Sequence, residues 1–129
     1  SVKGREARMQ YAILIYESPE AFSDRQGDRA GAYWSTWSAY FDALGERVAS
    51  GACLKSPATG TSVRVRADAR QVEDGPYADT REQLGGFAII EADDLDDALA
   101  WAARCPAVSS GAVEVRPVLP MGDVAEMRS

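Results

Sequence analysis

Asp74, Tyr77 and Arg81 fall in one short run, DGPYADTREQLGG, from Asp74 to Gly86. Gly75-Pro76 makes a sharp, stiff turn directly after Asp74. Held by that turn and pointing into a cleft, Asp74 would serve as a general base. It would need burial beside Tyr77 or the aromatics of the first helix to raise its pKa towards neutrality. Arg81 would then anchor an anionic substrate and Tyr77 would donate a hydrogen bond. The plainer reading is a well-made surface loop. Asp74 then accepts from nearby backbone N–H groups, and Asp79, Arg81 and Glu82 pair with one another at little energetic gain. Thr80 followed by Gln83 fits a capping box on a helical turn REQL. Gly85-Gly86 suits a bulge or a close backbone approach. Turn chemistry accounts for the glycines, proline and threonine; it does not account for Asp74, Tyr77 and Arg81 together.

Several elements must position this loop. MQYAILIY, Met9 to Tyr16, is apolar on both faces and reads as a central strand. Ser18-Pro19 caps a short helical turn, and the polar stretch behind it reads as a loop. AYWSTWSAYFDALGERVAS reads as a helix. Trp34, Trp37, Phe41, Leu44 and Val48 form its stripe, Tyr33 and Tyr40 widen it, and Gly51 ends it. The stripe is core packing on the bland reading; on the sharper one Tyr33, Trp37 or Tyr40 lines a pocket beside the sheet. TSVRVRADARQVEDG alternates, with Val63 and Val65 inward and a turn near Ala67 to Arg70: a half-exposed hairpin. GFAIIEA is a second strand apolar on both faces. DDLDDALAWAARCP is a second helix with the stripe Leu95, Ala98, Leu99 and Ala102, capped by Asp93 or Asp94 and stopped at Pro106. Its four aspartates do not have calcium-loop spacing. AVEVRPVL is the last strand, with Val113 and Val115 inward.

The bulk numbers narrow the function classes. The chain has 129 residues, enough for one domain and one modest core. A net charge of −6, with the arginines spread singly, argues against nucleic acid and against an anionic membrane surface. No apolar run approaches the ~20 residues of a membrane span, and no secretory signal is visible. With no histidine, every histidine-based mechanism is excluded and zinc is a poor fit; no metal or other cofactor is expected. Cys53 and Cys105 lack CxxC spacing and read as small buried hydrophobes in a reducing cytoplasm. Residues 1–8 read as a tag or disordered extension before a native start at Met9. Residues 9–120 form the domain, and 121–129 a C-terminal tail.

The order β-α-β(hairpin)-β-α-β is the split βαβ pattern, an α+β, ferredoxin-like fold with an antiparallel sheet and an extra β-hairpin. Its first and third strands are central, in agreement with the two strands that are apolar on both faces. Two helices cover only one face of such a sheet. The other, carrying either Tyr11, Ile13 and Ile15 or Ala12, Leu14 and Tyr16, would be an exposed apolar patch. A second copy packed sheet to sheet removes it, so a homodimer is expected.

The run from Asp74 to Pro106, with PATGTSVRVR before it, MQYAILIY at the start and GAVEVRPV at the end, resembles the DGPF group of YCII-related proteins across Met9 to Leu119. The resemblance implies a ferredoxin-like fold assembled as a dimeric α+β barrel. It does not bring one settled activity. Relatives have been proposed to be enzymes with a histidine-aspartate pair in a cleft. Where that histidine would sit on the first helix, this chain offers Trp37 and Ser38. Some DGPF proteins are associated with alternative sigma factors, which implies a transcription-factor partner for some of them. Three readings follow: a small-molecule-binding or regulatory module, with Tyr77, Arg81, Trp37, Ser38 and Tyr40 around the ligand; a cofactor-free lyase or isomerase with Asp74 as base; and a protein-interaction partner.

Overall fold

The computed structural model of the chain describes residues 8–128. Residues 1–7, most of the expected extension, lie outside that range. Four strands form one antiparallel sheet in the order β2-β5-β1-β6: β1 is Met9–Glu17, β2 Val48–Cys53, β5 Gln83–Ala92 and β6 Ala112–Pro117. The central places of β1 and β5 match their two-sided apolar character. Between β1 and β2 lie a short helix α1 (Pro19–Ser23) and the long helix α2 (Ala30–Leu44). Helix α3 (Leu95–Ala103) joins β5 to β6. This is the ferredoxin-like α+β arrangement.

Alternation along β1 sorts the two faces. Tyr11, Ile13 and Ile15 are buried beneath the helices, against Ala88, Ile90 and Ala92 of β5. Tyr40 and Leu44 of α2 and Ala98 and Ala102 of α3 close the core from above. The Tyr40 hydroxyl donates to the Trp101 carbonyl at 2.9 Å and links the two helices. On the opposite face, Ala12, Leu14 and Tyr16 of β1 run beside Ile89 and Phe87 of β5, and all five are only half-buried.

The local structure departs from the sequence expectations in several places. The first helix ends at Gly45, whose φ of 54° suits glycine, and not at Gly51. Val48–Cys53 is the second sheet strand, paired with β5. Its sequence, VASGAC, has no strand alternation; its pairing with β5 decides its conformation. The hairpin therefore does not join the sheet. It is a separate ribbon of β3 (Thr61–Arg66) and β4 (Ala69–Asp74), with Val63 61% exposed and Val65 59% exposed where both were expected to point inward. On α3, Ala98 and Ala102 are buried as expected, while Leu95 and Leu99 face solvent. The stretch read as a tail carries a further helix, α4 (Met121–Met127).

Other local readings hold. The Ser18 hydroxyl accepts from the Ala21 N–H with Pro19 in the first turn of α1. The Asp94 carboxylate accepts from the Asp97 N–H to cap α3. Gly85 is the extra residue of a β-bulge: Ile15 pairs with Gly86 and Tyr16 with Leu84.

Candidate functional site

The sheet floor near the β2 edge is unusually bare. Gly51 of β2 and Gly85 and Gly86 of β5 contribute no side chains there. Two of them are glycine because neighbouring strands run close. A Cβ on Gly51 would stand 2.6 Å from the Phe87 carbonyl oxygen, and one on Gly86 would stand 2.9 Å from that of Ala52. Above this floor α2 presents Tyr33, Trp34, Trp37 and Phe41. Between floor and helix lies a mostly apolar pocket of about 460 Å³, within the usual range for small-molecule sites. Ser38, Val48 and Cys53 complete its sides.

One end of the pocket is ionic. Glu17, the last residue of β1, is 3% exposed. It continues the inward parity of Ile13 and Ile15, so the strand itself aims a carboxylate into the core. Arg25, in the loop after α1, donates from Nη2 to Glu17 Oε1 at 2.7 Å. The Tyr33 hydroxyl donates to Glu17 Oε2 and accepts from Arg25 Nε at 3.1 Å. Arg25 also donates to the carbonyls of Leu54 and Gly85, and its guanidinium lies against the rings of Phe22, Tyr33 and Trp34. A Cβ on Gly85 would collide with Glu17 Oε1 and press on Arg25 Nη2, so glycine there makes room for the ion pair. Burial, followed by the bond to Glu17, raises the Tyr33 pKa well above the ordinary phenol value. Burial works against the Arg25 charge, but the bonds to Glu17 and Tyr33 outweigh it and its pKa rises. The arrangement is a neutralised ion pair braced by a phenol that keeps its proton. It is suited to holding a ligand's polar end or shaping a cavity; neither Tyr33 nor Arg25 is set up to give away a proton.

The structure divides the sequence candidates. Trp37 and Ser38 line the pocket, as does Tyr33. Tyr40 lies on the core side of α2, its hydroxyl committed to Trp101. Asp74 ends β4 on the surface, and Tyr77 is 71% exposed with Arg64 stacked 4.8 Å from its ring centroid. These two border a separate crevice of about 40 Å³ with Ser62, Arg64 and Glu73, room for about one water molecule. Arg81 bridges Glu20 of α1 and Glu82 on the surface. No helical turn forms at REQL. The Gln83 side chain instead donates to the carbonyls of Ala78 and Thr80, and the Thr80 hydroxyl donates to that of Glu82 at 2.7 Å. Gly75, at φ 101°, donates its N–H to the Gly60 carbonyl at 2.7 Å, so the turn after Asp74 anchors the hairpin base. The loop thus braces the hairpin at one end and delivers Gly85 to the pocket at the other.

Sequence reasoning missed Glu17 and Arg25. The signal was present: Glu17 is two residues beyond Ile15 on the inward face of a strand, where a carboxylate requires a buried partner. The thiols also differ from expectation in one case. Cys105 is buried, which raises its pKa to about 11, whereas Cys53 is exposed at the pocket. Among the described residues no acidic or thiol cluster could hold a metal ion, and no helix is long and apolar enough to cross a membrane.

The YCII-related domain family matches residues 9–122. The uncharacterized protein R00369 of Rhizobium meliloti (strain 1021) is 32% identical over 115 residues, covering 85% of this chain and 92% of that protein. With its ferredoxin-like sheet and a family match along most of its length, the chain belongs to the YCII-related family.

Proposed function

We propose that this YCII-related protein, of the DGPF type, is a homodimeric small-molecule-binding module whose ligand sits between α2 and the β2 edge of the sheet. The observation that carries the reading is the pocket of about 460 Å³ with a buried, internally neutralised Glu17–Arg25–Tyr33 cluster at one end. Buried ionisable groups at the end of an apolar cavity are a recurring mark of ligand sites. Binding ranks ahead of lyase or isomerase chemistry because Tyr33 retains its proton and Glu17 is engaged at both oxygens. Asp74 does not line this cavity. The DGPY loop acts as its support, tied to α1 through Arg81 and Glu20.

The half-exposed sheet face supports the dimer. Ala12, Leu14, Tyr16, Phe87 and Ile89 form a contiguous apolar surface opposite the helices, and a second copy covers it most simply.

Thermal unfolding against a panel of small metabolites, together with alkylation of Cys53, tests the binding reading. A ligand in the pocket raises the melting temperature of the wild type and of Asp74→Asn alike, and slows alkylation of Cys53. Loss of binding in Asp74→Asn, with its fold intact, would move the site to the loop.

A further inference from the structure

The charge state and lining of the pocket say what kind of molecule it takes. Its two charged residues cancel. Both Glu17 oxygens are occupied, by Arg25 and by Tyr33. Arg25 spends four of its five N–H groups on Tyr33, Glu17, Gly85 and Leu54. No lining residue offers an uncompensated cation to an anionic ligand, which would have to shed its water without a partner. A cationic ligand fares no better. The rings of Tyr33 and Trp34 already face the Arg25 guanidinium, with 5.8 and 5.6 Å from Cζ to their centroids, so neither is free to receive a second cation, and both Glu17 oxygens are taken. The α2 wall of the pocket is aromatic, and the rest of the lining is mostly small or aliphatic, with Ile15, Val48 and Cys53 beside the glycine floor. Trp37 and Phe41 are roughly stacked, with an interplanar angle of 26° and centroids 6.1 Å apart, in the wall facing the glycine floor. A slot between aromatic rings and bare backbone accepts a flat molecule better than a bulky one.

We propose that the ligand is an uncharged, planar aromatic compound lying between the α2 rings and the Gly85-Gly86 floor. This rests on the pocket being a binding site at all, and the experiment keeps the two apart. Four probes of one size are compared on the purified full chain: 2-naphthol (neutral, flat), 2-naphthoate (anionic, flat), 2-naphthylmethylamine (cationic, flat) and decahydro-2-naphthol (neutral, not flat). The readouts are protection of Cys53 from alkylation and change in tryptophan fluorescence. The expected order places 2-naphthol first. The two charged probes bind at least about tenfold more weakly, and the saturated alcohol about three- to tenfold more weakly. Trp37→Leu narrows the gap between 2-naphthol and its saturated counterpart, while Thr36→Ala, on the exposed side of α2, leaves it unchanged. Equal or tighter binding of either charged probe, or of the saturated alcohol, overturns the ligand class and leaves the pocket reading standing. If none of the four protects Cys53, both fall.

Discussion

At the scale of single residues, Glu17 and Arg25 govern both stability and the site. Their side chains are 3% and 10% exposed, so removing one partner strands the other in a poorly solvated place. Arg25→Met is expected to cost about 3–5 kcal/mol in denaturant unfolding. Glu17→Met in the same chain recovers a large part of that, because a buried pair replaced by apolar groups is often close to neutral. A double variant as unstable as the sum of the two singles would show that the pair acts independently of its mutual charge. The thiols give a second residue-scale test. Cys105 is buried with its pKa pushed up to about 11, and Cys53 is exposed. A thiol reagent at pH 8 should titrate one group in the native protein and two after unfolding; two rapid groups in the native state would contradict the burial of Cys105. Legibility at this scale followed parity and context. Ser18 and Asp94 were readable as caps because capping is local. Asp74, Tyr77 and Arg81 have types that suit a site but do not line the apolar pocket, because what a loop side chain faces depends on tertiary placement that spacing along the chain does not encode.

Elements show the same division. The strands β1 and β5 and the helix α3 were readable because a long apolar pattern overrides local irregularity. Strand β2 was not, since Val48 to Cys53 acquires its conformation by pairing with β5. The hairpin β3–β4 was found, but its burial was misjudged: a two-stranded ribbon can stand outside the sheet, with Val63 and Val65 exposed, while keeping the alternation of a half-buried strand. Its turn carries a testable strain. Ala67 and Asp68 both have positive φ, 52° and 64°, in the two-residue turn between Arg66 and Ala69. Asn-Gly is the pair best suited to such a turn. Ala67→Asn with Asp68→Gly should therefore stabilise the hairpin by about 0.5–1 kcal/mol, read as slower amide exchange across β3 and β4; unchanged or faster exchange would show that the turn carries no strain. At the start of α3, the Asp97 carboxylate accepts from the Asp93 N–H and then from Arg47, and both lower its pKa below the ordinary 3.8. A depressed carboxylate contributes stability that is complete above its unfolded pKa and lost as pH falls through its folded value. Asp97→Asn should accordingly flatten the decline in stability below about pH 4. A decline as steep as in the wild type would assign acid sensitivity to other carboxylates.

For the molecule as a whole, the decisive asymmetry is between the sheet's two faces. One is closed by α2 and α3 and holds the pocket at its margin. The other presents Leu14 and Phe87 as cross-strand neighbours, with Ala12 and Ile89 beside them. Arg116 and Glu114 of β6, opposite Ala12 and Leu14, bond to each other along its edge. An apolar centre with a charged margin is the anatomy of a protein–protein contact, and a symmetric partner satisfies it with a single self-complementary surface. Leu14→Glu is the informative change, because it places a carboxylate at the centre of that face without touching the helix-covered core. In a dimer formed through this face, two such carboxylates would approach across the symmetry axis and also lose water on association. The wild type is expected to sediment as a dimer and Leu14→Glu as a folded monomer, with a far-ultraviolet spectrum unchanged. The pocket opens on the opposite side of the sheet, so the monomeric variant should retain 2-naphthol protection of Cys53. A variant that remained dimeric would place the contact elsewhere, on the exposed ribbon of Val63, Val65 and Val72 or along α4. A monomer that lost protection of Cys53 would show instead that the second copy completes the site.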